Sequence, residues 1–163
     1  MSRFSLFSAL RRDSQGAAAV EFALVAPMLL TLLFGVMMIG IHMQAYNAVR
    51  SAAFDTERYT VVEYQRENKM LPVQIQQVAL AIANRPPYGL KASELEACVT
   101  LADGFTEMTG AAKYDLELSY KPIEISGIFG FEPPRISYTQ PIIVPGAGVP
   151  HDCNGGADGS DGG

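Results

Sequence analysis

Residues 21–50 read EFALVAPMLLTLLFGVMMIGIHMQAYNAVR, and between Glu21 and Arg50 there is no formal charge, with His42 taken as neutral. From Phe22 to Ile41 the side chains are almost all apolar. That run supplies the ~20 residues with which an α-helix crosses ~30 Å of hydrocarbon. A helix is also the only single segment that satisfies its own backbone in lipid. The stretch therefore predicts a membrane span over about residues 22–43.

The flanks orient it. Residues 1–16 carry Arg3, Arg11 and Arg12 against Asp13, a net charge of +2, and the rest of the chain holds nine basic and sixteen acidic residues, a net −7. Basic residues beside a span stay cytoplasmic, so the C-terminal part is expected outside. No basic patch interleaved with aromatics follows the span, which argues against nucleic-acid binding. A cleaved secretory signal is the rival reading. Its apolar core would be shorter, and the small-residue cut candidate Ser51-Ala52-Ala53 lies well past the run, just after Arg50.

Helical spacing continues beyond the span. Ala45, Ala48, Ala52 and Thr56 recur at intervals of three and four, a narrow seam of small side chains flanked by Tyr46, Val49, Ala53 and Tyr59. No proline or glycine interrupts residues 41–71. A helix over residues 17–68 would be about 78 Å long at 1.5 Å per residue. Pro27 lies inside its membrane part, removes one donor and predicts a bend or local loosening. Leu71-Pro72 marks a break, and Pro72 suits the first turn of a second, short helix through Asn84. The period then becomes two: Leu95 to Leu101, Tyr114 to Tyr120, and a third strand around 135–143 that Pro141 confines to a sheet edge or shortens. The fold class is α+β: a long N-terminal transmembrane helix continuing into a small head, residues 69–145, with one short helix and about three antiparallel strands. The Gly- and Asp-rich residues 146–163 are expected to be a disordered tail.

No catalytic constellation stands out. His42 sits at the membrane boundary and His151 in the tail, while Glu94 and Glu96 alternate as a solvated strand face does. The tail sequence DCNGGADGSDGG invites a calcium reading but lacks the spacing and terminal glutamate of a calcium-binding hand. No metal or cofactor site is expected, and the chain is not expected to be an enzyme. Cys98 and Cys153 both fall in the part expected outside, where an oxidising compartment allows pairing. Closing that loop would contribute on the order of 4 kcal/mol; two unpaired thiols remain an equal reading of the residues alone.

Glu21 stands at the mouth of the span. At the centre of a spanning helix an acid costs ~2.5–3.5 kcal/mol; nearer the edge it can snorkel to the headgroups or take a partner. Gly16 followed by AAAVEF (17–22), with a basic leader before it and the apolar helix behind, resembles the processing site of type IV-like prepilins. The longer run GAAAVEFALVAPMLLTLLFGVMMIG (16–40), with AYNAVRSAAFDTERY (45–59) after it, resembles the TadE-like minor pseudopilins of bacterial Tad (tight adherence) pilus systems. That resemblance implies that a prepilin peptidase, a membrane aspartyl peptidase, cuts between Gly16 and Ala17 and removes residues 1–16 as a leader. The chain would be its substrate, and its partners other pilins, minor pseudopilins and the inner-membrane assembly platform. It would be a single-pass inner-membrane protein, cytoplasmic at its N-terminus and periplasmic at its head, taking part in assembly or initiation of a pilus used in adhesion.

The residues offer a reason for such packing. A new amine on Ala17 would lie four residues before Glu21, which could pair with its own or a neighbour's amine and complement the helix dipole. Helices in lipid approach through small side chains, here Ala17 to Ala19, Ala23, Ala26 and Gly35, beside Phe22 and Pro27, although Gly35 and Gly40 read equally well as filler. An unprocessed single-span protein whose exported head binds a ligand or scaffolds a complex is the alternative.

Overall fold

A computed structural model describes residues 14–102, 104–105, 107–122 and 134–153. The order of elements is α1 (Ser14–Gln65), α2 (Pro72–Asn84), a 3₁₀ turn (Ala92–Glu94), β1 (Leu95–Leu101), β2 (Ala111–Tyr120) and β3 (Ile136–Pro145). This is the α+β arrangement read from the periodicity. Two compact units divide the chain, one ending at Ile41 and the other beginning at His42.

In the first unit α1 is exposed almost throughout and apolar: Leu24 is 75%, Met28 74% and Phe22 70% accessible. A helix this long and apolar can cross a membrane, which fits a single-pass membrane protein. It continues unbroken through Pro27, and the Thr31 hydroxyl donates 2.7 Å to the Pro27 carbonyl. The helix is already formed at Ser14, the first described residue, so Gly16 and Ala17 are helical. Residues 1–13 of the leader lie outside the described residues.

The second unit is built on one sheet. β1 and β3 pair antiparallel with the central β2, in the order β1-β2-β3. Strand alternation puts Leu95, Ala97 and Val99, Tyr114, Leu116 and Leu118, and Ile136, Ile142 and Val144 on one face, all buried. The opposite face carries Glu96, Cys98, Lys113, Asp115, Glu117 and Ser119. One buried face needs one cover, and two helices supply it. From residues 42–65 of α1 the side chains of Val49, Ala52, Ala53, Thr56 and Thr60 are wholly buried. From α2, Ile75, Ala79 and Ala83 join the same core. The small seam of α1 lies where the spacing put it, with Val49 and Ala53 in its centre rather than at its flanks. Its two buried hydroxyls are satisfied inside the helix, Thr56 Oγ1 to Ala52 O and Thr60 Oγ1 to Thr56 O, each 2.8 Å.

α1 stops three residues earlier than the expected Asn68. The amide of Asn68 donates to Glu63 O and that of Glu67 to Tyr64 O, with Glu67 left-handed at φ 64°, the pattern that closes a helix C-terminus. α2 starts at Pro72 as read. Its first turn is held by Gln74, whose Oε1 accepts the Leu71 amide at 2.8 Å.

Hydrogen bonds fix which edges of the sheet are open. Ala102 N donates to Lys113 O and Lys121 N to Glu94 O, so the even-numbered residues of β1 face β2 and the amides of Leu95, Ala97, Val99 and Leu101 point away from it. Gly146 N donates to Gly110 O, so in β3 the odd-numbered residues point away from β2. Pro141 and Pro145 are both odd. Proline therefore removes no ladder bond, and Pro141 sits in an edge strand of full length instead of shortening it.

The tail expected to be disordered is held in place over residues 146–153. Gly146, at φ 113°, turns the chain out of β3 in a conformation that favours glycine. Val149 N donates 2.8 Å to the Tyr114 hydroxyl, and Cys153 is joined to Cys98 by a disulfide. Residues 154–163 lie outside the described residues. Leu116 lies at the sheet centre, wholly buried and paired between Val99 and Gln140. Leu116→Ala is expected to cost the head about 2–5 kcal/mol, read as a lowered denaturation midpoint of the detergent-solubilised chain.

Candidate functional site

The residues singled out in the sequence fall in two places. Gly16, Ala17, Glu21, Phe22 and Pro27 lie in the first part of α1, and Cys98 and Cys153 lie in the head. A Cβ added at Gly16 meets nothing within 4 Å, nor does one at Gly35 or Gly40. Packing among the described residues therefore gives no reason for glycine at 16. No acidic residue stands in the first turn as α1 begins at Ser14, and Glu21 is its eighth residue. A helix starting at Ala17 would make Glu21 the fifth, at the margin of the turn where the dipole is felt.

In the head, polar side chains lock residues 42–65 of α1 to the elements around them. The Tyr88 hydroxyl donates 2.5 Å to Asp55 Oδ2, and Gln140 Nε2 donates 2.8 Å to Glu57 Oε2. Tyr138 packs against Tyr46 edge-on, with centroids 6.3 Å apart, and against Phe54 at 6.0 Å. The Arg50 guanidinium lies over the Phe54 ring at 5.6 Å. Tyr64 donates to Met70 O at 2.8 Å across the turn that ends α1. None of these partnerships was singled out from the sequence. Apart from the Arg50–Phe54 contact, an i,i+4 pair within α1, each joins residues on different elements or across a turn, and no spacing along the chain announces them. The alternating acids are partly explained: Glu96 Oε2 receives Arg135 Nη1 at 2.7 Å on the solvent face of the sheet.

Two tyrosines are shifted. The bond to Asp55, then burial and the charge of Asp55, push the Tyr88 hydroxyl up to about 12. Burial, then the neighbouring Tyr114, pushes Tyr64 up to about 12. Both shifts favour the neutral hydroxyl in the folded head. Their contribution is complete below the ordinary value of 10.0 and is lost as pH rises toward 12.

The arrangement is a helix able to span a membrane, carrying an α+β head fastened to its distal half. Residues 16–58 match the model of the TadE-like protein family. The match begins at Gly16, ends inside α1 and includes no strand. The curated proteins and the solved structures contain no match to the chain.

Alkaline unfolding tests the tyrosine links. The denaturation midpoint of the head, followed by circular dichroism, is expected to fall between pH 10 and 12. Tyr88→Phe is expected to cost about 1.5 kcal/mol at pH 8 and to make the alkaline fall shallower, because one of the two shifted groups is gone.

Proposed function

We propose that the chain is a minor pseudopilin of a Tad pilus, matured by a prepilin peptidase between Gly16 and Ala17 and inserted with its head outside the cytoplasm. The observation that carries this reading is the family match beginning at Gly16, coincident with the small-residue bond, Glu21 five residues on and an apolar helix behind it. The Cys98–Cys153 disulfide supports an exported head, since such bonds persist in oxidising compartments.

The mechanism is assembly rather than catalysis. The chain is a peptidase substrate and itself no enzyme. The cut releases an amine on Ala17, and Glu21 pairs with it or with the amine of a neighbouring pilin. A cross-helix pair sets axial register, because stripping one partner from a buried ion pair costs about 3–5 kcal/mol. Small side chains along 17–26 let the neighbour's backbone approach. The aromatic and polar links from α1 to β3 and Tyr88 make the head move with the distal half of the helix. The partners are then the peptidase, other pilins and minor pseudopilins, and the inner-membrane platform, in the service of surface adhesion.

N-terminal sequencing of the membrane protein from cells with an active prepilin peptidase is expected to begin at Ala17; a chain starting at Met1 refutes the reading. Gly16→Phe is expected to block maturation while leaving the head folded, because a Cβ added at Gly16 meets nothing within 4 Å among the described residues. Glu21→Ala is expected to leave insertion unchanged or improved and to reduce subunit incorporation into pili, measured by immunoblot of sheared filaments.

A further inference from the structure

The path of residues 146–153 explains how an open sheet edge is managed. Gly148 packs so closely that a Cβ there would collide with Leu101 Cδ1 and lie 3.2 Å from Ala112 Cβ. Val149 is bonded to Tyr114. Leu101, Ala112 and Tyr114 all belong to the buried face of the sheet. Cys153, four residues after Val149, is bonded to Cys98, which alternation places on the opposite face, with Cα atoms 5.7 Å apart. β2 occupies the other side of β1, so the arm passes between the two faces around the free edge of β1. Along that edge lie the outward amides of Val99 and Leu101. Val99 is nonetheless wholly buried. An uncovered edge of this kind is a template for intermolecular strand pairing. Proline blunts the β3 edge, but β1 contains none.

We propose that residues 146–153 are a redox-operated strap that closes the β1 edge when Cys98 and Cys153 are joined and uncovers it when they are reduced. In the opening step a small dithiol supplies two electrons and two protons. Its thiolate attacks one sulfur, a mixed disulfide forms, and closure of the reductant to its own cyclic disulfide releases both protein thiols. With the thiols parted, Gly146 stays bonded to Gly110 at the base of the arm, and what holds the rest is the tight contact at Gly148, the bond from Val149 to Tyr114 and the non-covalent interactions of Asp152, set against the conformational entropy of the freed segment. The strap rests on the geometry of the head alone and stands or falls separately from the pilus reading.

Amide hydrogen exchange of the full chain in detergent micelles, oxidised and after dithiol treatment, tests it. Reduction is expected to accelerate exchange at Val99 and Leu101 at least about tenfold more than at Leu116 and Leu118, since local opening exposes only the uncovered edge. Cys153→Ser without reductant is expected to reproduce that pattern. Unchanged exchange at Val99 would show that α2 alone covers the edge and would overturn the strap. Equal acceleration at all four amides would overturn it too, because the disulfide would then hold the whole head and not a separable arm.

Discussion

The head depends on covering the one apolar face of its sheet. A three-stranded sheet with one apolar face has no stability of its own until that face is covered. The cover includes Val49, Ala52, Ala53, Thr56 and Thr60, wholly buried in the same core as Tyr114, Leu116 and Leu118. Large residues are thus concentrated on the strands and small ones on the helix, the complementarity that close packing of a core calls for. The two threonines add no unpaired polar group, because each hydroxyl is returned to its own helix. α2, with Ile75, Ala79 and Ala83, completes the layer over β1.

Once that layer forms, the remaining liabilities are the sheet edges, and the two are treated by different means. In β3 proline occupies positions whose amides face away from β2, so the edge loses donors while the ladder keeps all of its own. In β1 a covalent bond brings the chain's own C-terminal arm around the strand. The first device is written into covalent structure from synthesis. The second exists only after oxidation, which links the finished head to the compartment in which it is made.

Along α1 the same helix satisfies two different solvents. Before Ile41 its whole circumference is apolar and exposed, as a lipid-facing helix requires; after His42 it is amphipathic, buried on one side and charged on the other. Glu21 is the exception within the apolar part. In a helix that begins at Ser14 it lies in the third turn, beyond effective reach of the dipole. In one that begins at Ala17 it gains both the dipole and an amine.

By itself the sequence determined the order and kind of the elements. An uncharged apolar run, a seam of small residues at intervals of three and four, a proline opening a second helix and three alternating strands are local patterns, and backbone geometry turns each into structure without reference to the rest. The end of the long helix at Gln65 was less legible, because terminal turns are decided by capping bonds rather than by periodicity. Tertiary structure alone decided which polar groups meet and what becomes of the tail. Asp55 finds Tyr88, Glu57 finds Gln140, and an arm that composition marks as disordered is held by Leu101, Tyr114 and Cys98. Those contacts cross the chain, and their stability comes from burial that exists only after the sheet has been covered. Composition measures what a segment can bury by itself, and it is blind to a surface that another part of the chain provides.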